Sequence, residues 1–237
     1  MRRRGRFSAP LIVAIAGGHG KIAMRLARLL RARGDEVRSL IRDPDHAPDI
    51  EQAGGEPVVC DLESASVEEV SEAVGTADAV VFAAGAGPGS GSERKETMDY
   101  GGAVKLIAAA KSRGIARYLM ISSMGADPNA SGDGTFSVYL RAKGRADAEL
   151  ERSGLEHTIV RPSRLTDDPG TSRVELGASV ERGQISREDV ATVLDLSLRE
   201  PITIRRTFEL TTGDVPIETA LKALAGAGTA SITTSRK

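Results

Sequence analysis

Tyr139 and Lys143 stand four residues apart in "VYLRAKGRADAEL". On a helix that spacing puts both on one face, one turn apart. A phenol titrates at about pH 10 and by itself is a poor acid or base at neutral pH. A neighbouring lysine cation favours the phenolate and lowers that value. The pair is therefore a candidate proton donor and acceptor. The alternative is an amphipathic helix with a packed Tyr139 and a solvated Lys143. A third part lies in "LMISSMG", where Ser122 and Ser123 end an apolar run. A serine hydroxyl there can hold a carbonyl oxygen, or it can cap a turn.

A second constellation opens the chain. "LIVAIA" runs into "GGHGKIA". Gly18, Gly20 and Ala23 fit G-x-G-x-x-[GA], and Gly17, Gly20 and Ala23 fit a wider spacing of the same kind. The loop Gly17, Gly18, His19, Gly20, Lys21 and Ile22 follows an expected strand and opens an expected helix, the context that gives such a motif meaning. Bare amides and the helix dipole there favour a diphosphate. Further on, "SLIRDP" sets Arg42 at the end of the second expected strand. An acidic residue at that point would favour NAD; a guanidinium suits the 2′-phosphate of NADP. NADP is accordingly the expected cofactor and NAD the less favoured one. The competing reading pairs Arg42 with nearby Asp43 or Asp45.

These groups need a scaffold that brings strand ends together. The chain alternates apolar runs with amphipathic segments. Strands are expected at "LIVAIA", "EVRSLIR", "EPVVCDL", "ADAVVFAAG", "ARYLMISS" and "EHTIVRP". Helices are expected after Gly20, over Val67 to Val74, over Thr97 to Ser112 and over Ser137 to Ser153. Such alternation implies parallel strands with right-handed crossovers, hence an α/β doubly wound parallel sheet. After Pro162 the rhythm breaks. "SRLTDDPGTSRVEL" reads as irregular, followed by a helix over Arg187 to Leu198 and a strand in "RRTFELTT". The expected organisation is a basic arm (1–10), one dinucleotide-binding domain (11–227) with a small C-terminal substrate lobe from about residue 163, and a tail (228–237).

Net charge is −1, so no whole-chain field selects nucleic acid. The arginines of "MRRRGRF" read as a solvated arm rather than an RNA-binding tail. No apolar run reaches the ~18 residues of a membrane span, and no partner beyond a small-molecule substrate is expected. Cys60 is the lone cysteine and reads as a small core residue. His19, His46 and His157 are far apart in sequence and lack ligand spacing, so no metal is expected. A cytoplasmic monomer or homodimer is the expectation.

The motifs "AGGHGKIA", "LIRDP", "CDL", "VVFAAGAG", "YLMISSMGA", "YLRAKGRADAEL", "TIVRPSRLTDDPG" and "ISREDVA" together resemble the atypical short-chain dehydrogenase/reductases of the NAD(P)-binding, NmrA-like and sugar-epimerase-like group. The likeness runs from about Ala14 to Pro216. It implies that Asp61 and Leu62 flank the adenine, and that Ala83, Ala84 and Gly85 line the dinucleotide. It further implies that Pro162 and Ser163 lie by the nicotinamide, and that Ser123 faces the substrate. Ala23 replaces a third glycine, and Asp99 stands where many relatives carry asparagine.

The expected chemistry is hydride transfer between NADP(H) and a small carbonyl or alcohol. Tyr139 exchanges the proton, Lys143 tunes it and holds the ribose, Ser123 orients the substrate oxygen, and Ser122 contributes to the cofactor site. "GAGPGSGSER" and "GADPNASGDGTF" are expected to border the substrate pocket, with Ser163 to Gly183 covering it. An epimerase or dehydratase would use the same parts. A non-catalytic NAD(P)H sensor is the reading from another class. With few aromatics in the chain, a stacking platform is not expected, and a modest-sized substrate is preferred.

Overall fold

The computed structural model describes residues 9–87 and 89–225. The arginine-rich start through residue 8 and the expected tail 228–237 lie outside the described residues.

Runs that are apolar throughout become strands buried on both faces. β1 (Ile12–Ala16), β4 (Ala79–Phe82) and β5 (Arg117–Ile121) are buried almost throughout. β2 (Glu36–Ile41) and β3 (Glu56–Val59) extend the sheet on one side, and β6 (Glu156–Pro162) on the other. These six pair in parallel in the order 3-2-1-4-5-6. That is the dinucleotide-binding order, and it reverses direction between β1 and β4, where a crevice opens at the carboxyl ends.

Helices cover both faces. α1 (Lys21–Ala32) and α7 (Arg187–Arg199) close one core with Leu26, Leu30, Val190 and Leu194. α3 (Val67–Val74), α5 (Ala103–Ser112) and α6 (Thr135–Arg152) close the other with Val70, Leu106, Phe82 and Leu150. α3 starts on a reciprocal cap: Glu69 N–H donates to Ser66 Oγ at 3.1 Å, and Ser66 N–H donates to Glu69 at 2.7 Å. Buried Asp35 accepts from Leu11 N–H at 2.9 Å and pairs with Arg33 and Arg199, tying the start of β1 to the end of α7. Such compensation is what a buried carboxylate requires.

Three expectations change. The stretch after Pro162 is not irregular: β7 (Arg164–Thr166) pairs with β9 (Gln184–Ser186), and β8 (Arg173–Gly177) joins the main sheet. Order there comes from pairing partners distant in sequence, which local periodicity cannot reveal. Second, the sheet is mixed at one edge. β10 (Arg206–Thr212) runs parallel to β6, but β8 is antiparallel to β10 and to β11 (Val215–Pro216). Third, the helix expected at Thr97 begins earlier and is irregular. A short α4 (Ser92–Arg94) passes into a π-helical stretch, Lys95–Gly102, before α5. The short α2 (Ala47–Gln52) and the final α8 (Ile217–Ala223) complete the fold.

Candidate active site

The glycine loop is pressed into the sheet. A Cβ on Gly17 would stand 2.6 Å from Ala84 Cα, and φ there is +77°. A Cβ on Gly18 would stand 2.6 Å from Ser39 Cβ. Gly18 N–H donates to Leu40 and Gly20 N–H to Gly17, each at 2.9 Å. The loop therefore ends β1 against β2 and β4 and delivers the N-terminus of α1 to the crevice. No side chain caps that helix, and its first turn carries no acidic residue. The first-turn amides of Lys21, Ile22 and Ala23 thus face the crevice with the positive end of the dipole.

A cleft of about 310 Å³ runs over this loop. Gly17, Gly18, His19 and Gly20 form its floor, Arg42, Asp61 and Leu62 one end, and Ala83, Ala84 and Gly85 the other. Ten residues proposed from the sequence thus meet in one place. Arg42 is more than half exposed, 3.7 Å from the carboxylate of Glu63. It does not use its neighbours: Asp43 instead accepts from Asp45 N–H at 3.0 Å, capping a turn. Glu63 is held below the ordinary carboxylate range: its partial desolvation works the other way, but hydrogen bonds from Thr97 and Arg94 outweigh it. The cleft has the small-residue floor, free helix amides and terminal guanidinium that a dinucleotide requires.

His19 and His46 are not far apart in space. Their rings stack at 3.6 Å beside Arg42, and His19 contacts Asp49 at 2.8 Å. Among the described residues no group of three metal-binding side chains gathers. Cys60 borders the cleft half-buried, and burial pushes its thiol up. Lys21 turns away toward the C-terminal segment and pairs with Asp167 at 2.5 Å.

Beyond Gly85 a larger cavity of about 790 Å³ continues from the cleft, sharing Ala83, Ala84 and Gly85 with it. Ile22, Ser122, Tyr139 and Lys143 line it, with Lys95, Asp99, Phe136 and Leu165. Lys143 is buried, not solvated. Its Nζ stands 3.2 Å from Asp99 Oδ1, donates to Ile121 O at 3.1 Å and lies 6.0 Å from the Tyr139 ring centre. Burial opposes its charge, but Asp99, Tyr139 and Asp147 outweigh burial and hold the ammonium above its ordinary pKa. Asp99 also accepts from Ala86 N–H at 3.2 Å, so it fastens the loop after β4 to the lysine.

The serines divide. Ser122 lines the cavity and donates to buried Asp147 at 2.8 Å, which Arg161 contacts at 2.9 Å. Burial raises Asp147 despite Arg161 and Ser122. Ser123 lines neither cavity, and its Oγ donates to Met124 O at 3.3 Å. Pro162 and Ser163 also lie away from both. Pro162 O accepts from Met124 N–H, and Ser163 bonds Thr211 at 3.1 Å. Of the two glycine-rich loops, the first borders the cavity along Gly85–Gly87 and Gly89–Gly91, whereas the second reaches it only through Thr135 and Phe136 at the start of α6. From Ser163 to Gly183 only Leu165 lines it.

Sequence reasoning missed Lys95 at this cavity and reached Phe136 and Leu165 only as members of bordering segments; it missed His46, Arg94 and Met98 at the cleft. Phe136 stacks on Tyr139 with ring centres 6.1 Å apart, so two of the chain's seven aromatics (four Phe, three Tyr) do form a small platform. The i, i+3 spacing of Phe136 and Tyr139 was the available signal, once the helix is taken to start at Thr135 rather than at the expected Ser137.

The fold and the cleft define a dinucleotide-binding Rossmann protein. The chain belongs to the NAD(P)H-binding family, whose model matches residues 17–201. It is 40% identical over 213 residues to an "Uncharacterized sugar epimerase" of Bacillus subtilis, spanning 90% of this chain and 99% of that one. Among solved structures, a "Putative NAD-dependent epimerase/dehydratase" from Bacillus halodurans is 37% identical with a TM-score of 0.83, over 90% of this chain and 99% of that one. A short-chain dehydrogenase/reductase from Veillonella parvula in complex with NADP shares the fold at 20% identity and a TM-score of 0.66, over 88% of this chain and 97% of that one.

Proposed function

We propose that this protein is an NADP-dependent oxidoreductase of the atypical short-chain dehydrogenase/reductase type, acting on a small carbonyl or alcohol. One observation carries the reading: the cavity that holds Tyr139 and Lys143 adjoins the glycine-loop cleft, with Ala83, Ala84 and Gly85 lining both. A bound nicotinamide dinucleotide supplies the hydride. The helix N-terminus and the glycine loop hold its diphosphate. Arg42 at the cleft end favours a 2′-phosphate, and the NADP carried by the Veillonella relative agrees with that choice. Tyr139 gives a proton to the substrate oxygen in reduction and takes it back in oxidation. Lys143, clamped by Asp99 and Ile121, keeps a fixed cation near the phenol. Ser122, not Ser123, is the serine at the cavity wall; its hydroxyl donates to Asp147, which leaves its oxygen as an acceptor.

The relatives named as epimerases support a second reading in which the same parts oxidise and re-reduce one substrate without net turnover of cofactor. NADPH oxidation over a panel of carbonyls and quinones, with Tyr139→Phe alongside, tests the proposal. The expected result is turnover in the native protein that falls about 100-fold or more in the variant while NADPH still binds. Tight NADPH binding with no NADPH oxidation by any compound would overturn the oxidoreductase reading and leave the epimerase, which consumes no cofactor, or a sensor.

A further inference from the structure

Lys95 opens the π-helical stretch and is buried, yet it faces the larger cavity. Its Nζ donates to Gly87 O at 2.8 Å and lies 5.5 Å from the Tyr139 ring centre. An ammonium has three donors, and a backbone carbonyl uses one without cancelling its charge. The acidic side chains nearby are engaged elsewhere. Asp99 pairs with Lys143 at 3.2 Å, Glu63 with Arg94 at 2.9 Å, and Glu96 with Arg145 at 2.7 Å. Among the described residues none of the ion pairs involves Lys95. The charged side chains on the cavity wall are thus two lysines and one aspartate, and the wall carries one positive charge in excess.

A buried cation without a counter-charge is costly, and an anion brought beside it relieves that cost. Apolar side chains line the same cavity: Phe136, 61% exposed, stacks on Tyr139, and Ile121 and Leu165 are also in the lining. We propose that this cavity takes substrates with an apolar or aromatic body and an anionic group, carboxylate or phosphate, anchored on Lys95. The proposal rests on reading the cavity as the substrate pocket. It sets Lys95 apart from Lys143: one cation reads the substrate, and the other, already paired, serves the phenol.

The test is calorimetric binding to the full chain saturated with NADP. Benzoate, phenyl phosphate and neutral benzamide are the probes, titrated into the native protein, Lys95→Gln and Lys95→Arg. At least one anion is expected to bind about 10-fold or more tighter than benzamide. That preference disappears in Lys95→Gln and returns in Lys95→Arg, while benzamide affinity stays the same. The stronger of the two anions tells carboxylate from phosphate. Equal affinities for charged and neutral probes, no anion binding at millimolar concentration, or a preference that persists in Lys95→Gln would overturn the proposal. A uniform loss for all probes in Lys95→Gln assigns Lys95 to holding the Gly87 loop, and overturns it too. Titrating NADP into cofactor-free portions of the same three proteins reports separately on the cofactor reading, and anion capture without any turnover would sink the oxidoreductase proposal alone.

Discussion

Asp99 holds Lys143 by a buried ion pair of 3.2 Å, at the point where the loop after β4 meets helix α6. An aspartate here neutralises the lysine and, through Ala86 N–H, pins the Gly-rich loop to the same spot. The pair joins the cofactor side of the site to the helix that carries Tyr139.

Removing one partner leaves the other as an unpaired buried charge. Asp99→Ala is expected to cost about 3–5 kcal/mol. Asp99→Asn keeps a hydrogen-bonding oxygen for Ala86 N–H and should cost less. Urea unfolding of the two variants beside the native chain checks the order; an Asp99→Ala midpoint equal to the native one would refute it.

The pair also sets a response to alkali. Lys143 is held above its ordinary value of 10.5 in the folded chain, because Asp99, Tyr139 and Asp147 outweigh its desolvation. A raised lysine pKa gives stability that is fully present below the unfolded value and is lost as pH rises through the folded one. The thermal midpoint is therefore expected to fall above pH 10.5 more steeply in the native protein than in the Lys143→Met, Asp99→Asn double variant. Melting curves through that range read it directly.

Arg42 lies at the cleft end with its guanidinium more than half exposed. Arg42→Ala should weaken NADP binding by about 10-fold or more, the scale of a charge-assisted hydrogen bond, and leave NAD binding nearly unchanged. Paired calorimetric titrations decide it. Equal losses for both dinucleotides would remove the NADP preference.

Gly144 follows Lys143 on α6, and a Cβ there would stand 2.3 Å from Pro128 N and 2.4 Å from Asp127 C. Those are backbone atoms and cannot swing aside. Gly144→Ala is expected to cost about 1–3 kcal/mol by overpacking, despite alanine's better helix propensity. A thermal midpoint at or above the native one would show that the loop gives way freely.

Much of the scaffold was legible along the chain. Continuous apolar runs such as Ala79–Phe82, too short for a helix and bounded by turn residues, read as strands covered on both faces, and the stripe Ile22, Leu26, Leu29 and Leu30 reads as a helix with one buried face. The glycine loop was legible because its spacing and the positive φ at Gly17 are local, although the close approaches that exclude a side chain, Gly17 on Ala84 and Gly18 on Ser39, are made across the sheet. The edge beyond Pro162 was not, since β7, β8 and β9 are short and take their order from partners elsewhere in the chain.

By itself the sequence determined the alternation of strand and helix, the phosphate-suited loop and the Tyr139–Lys143 spacing, since each is set by residues within a few positions of one another. Only the tertiary structure decided what those groups meet. It buried Lys143 against Asp99, stacked His19 on His46, turned Lys21 toward Asp167, and left Lys95 facing a cavity with an uncancelled charge. Charge pairing and burial depend on distances between residues far apart in the chain, and those distances exist only once the sheet has brought its carboxyl ends together.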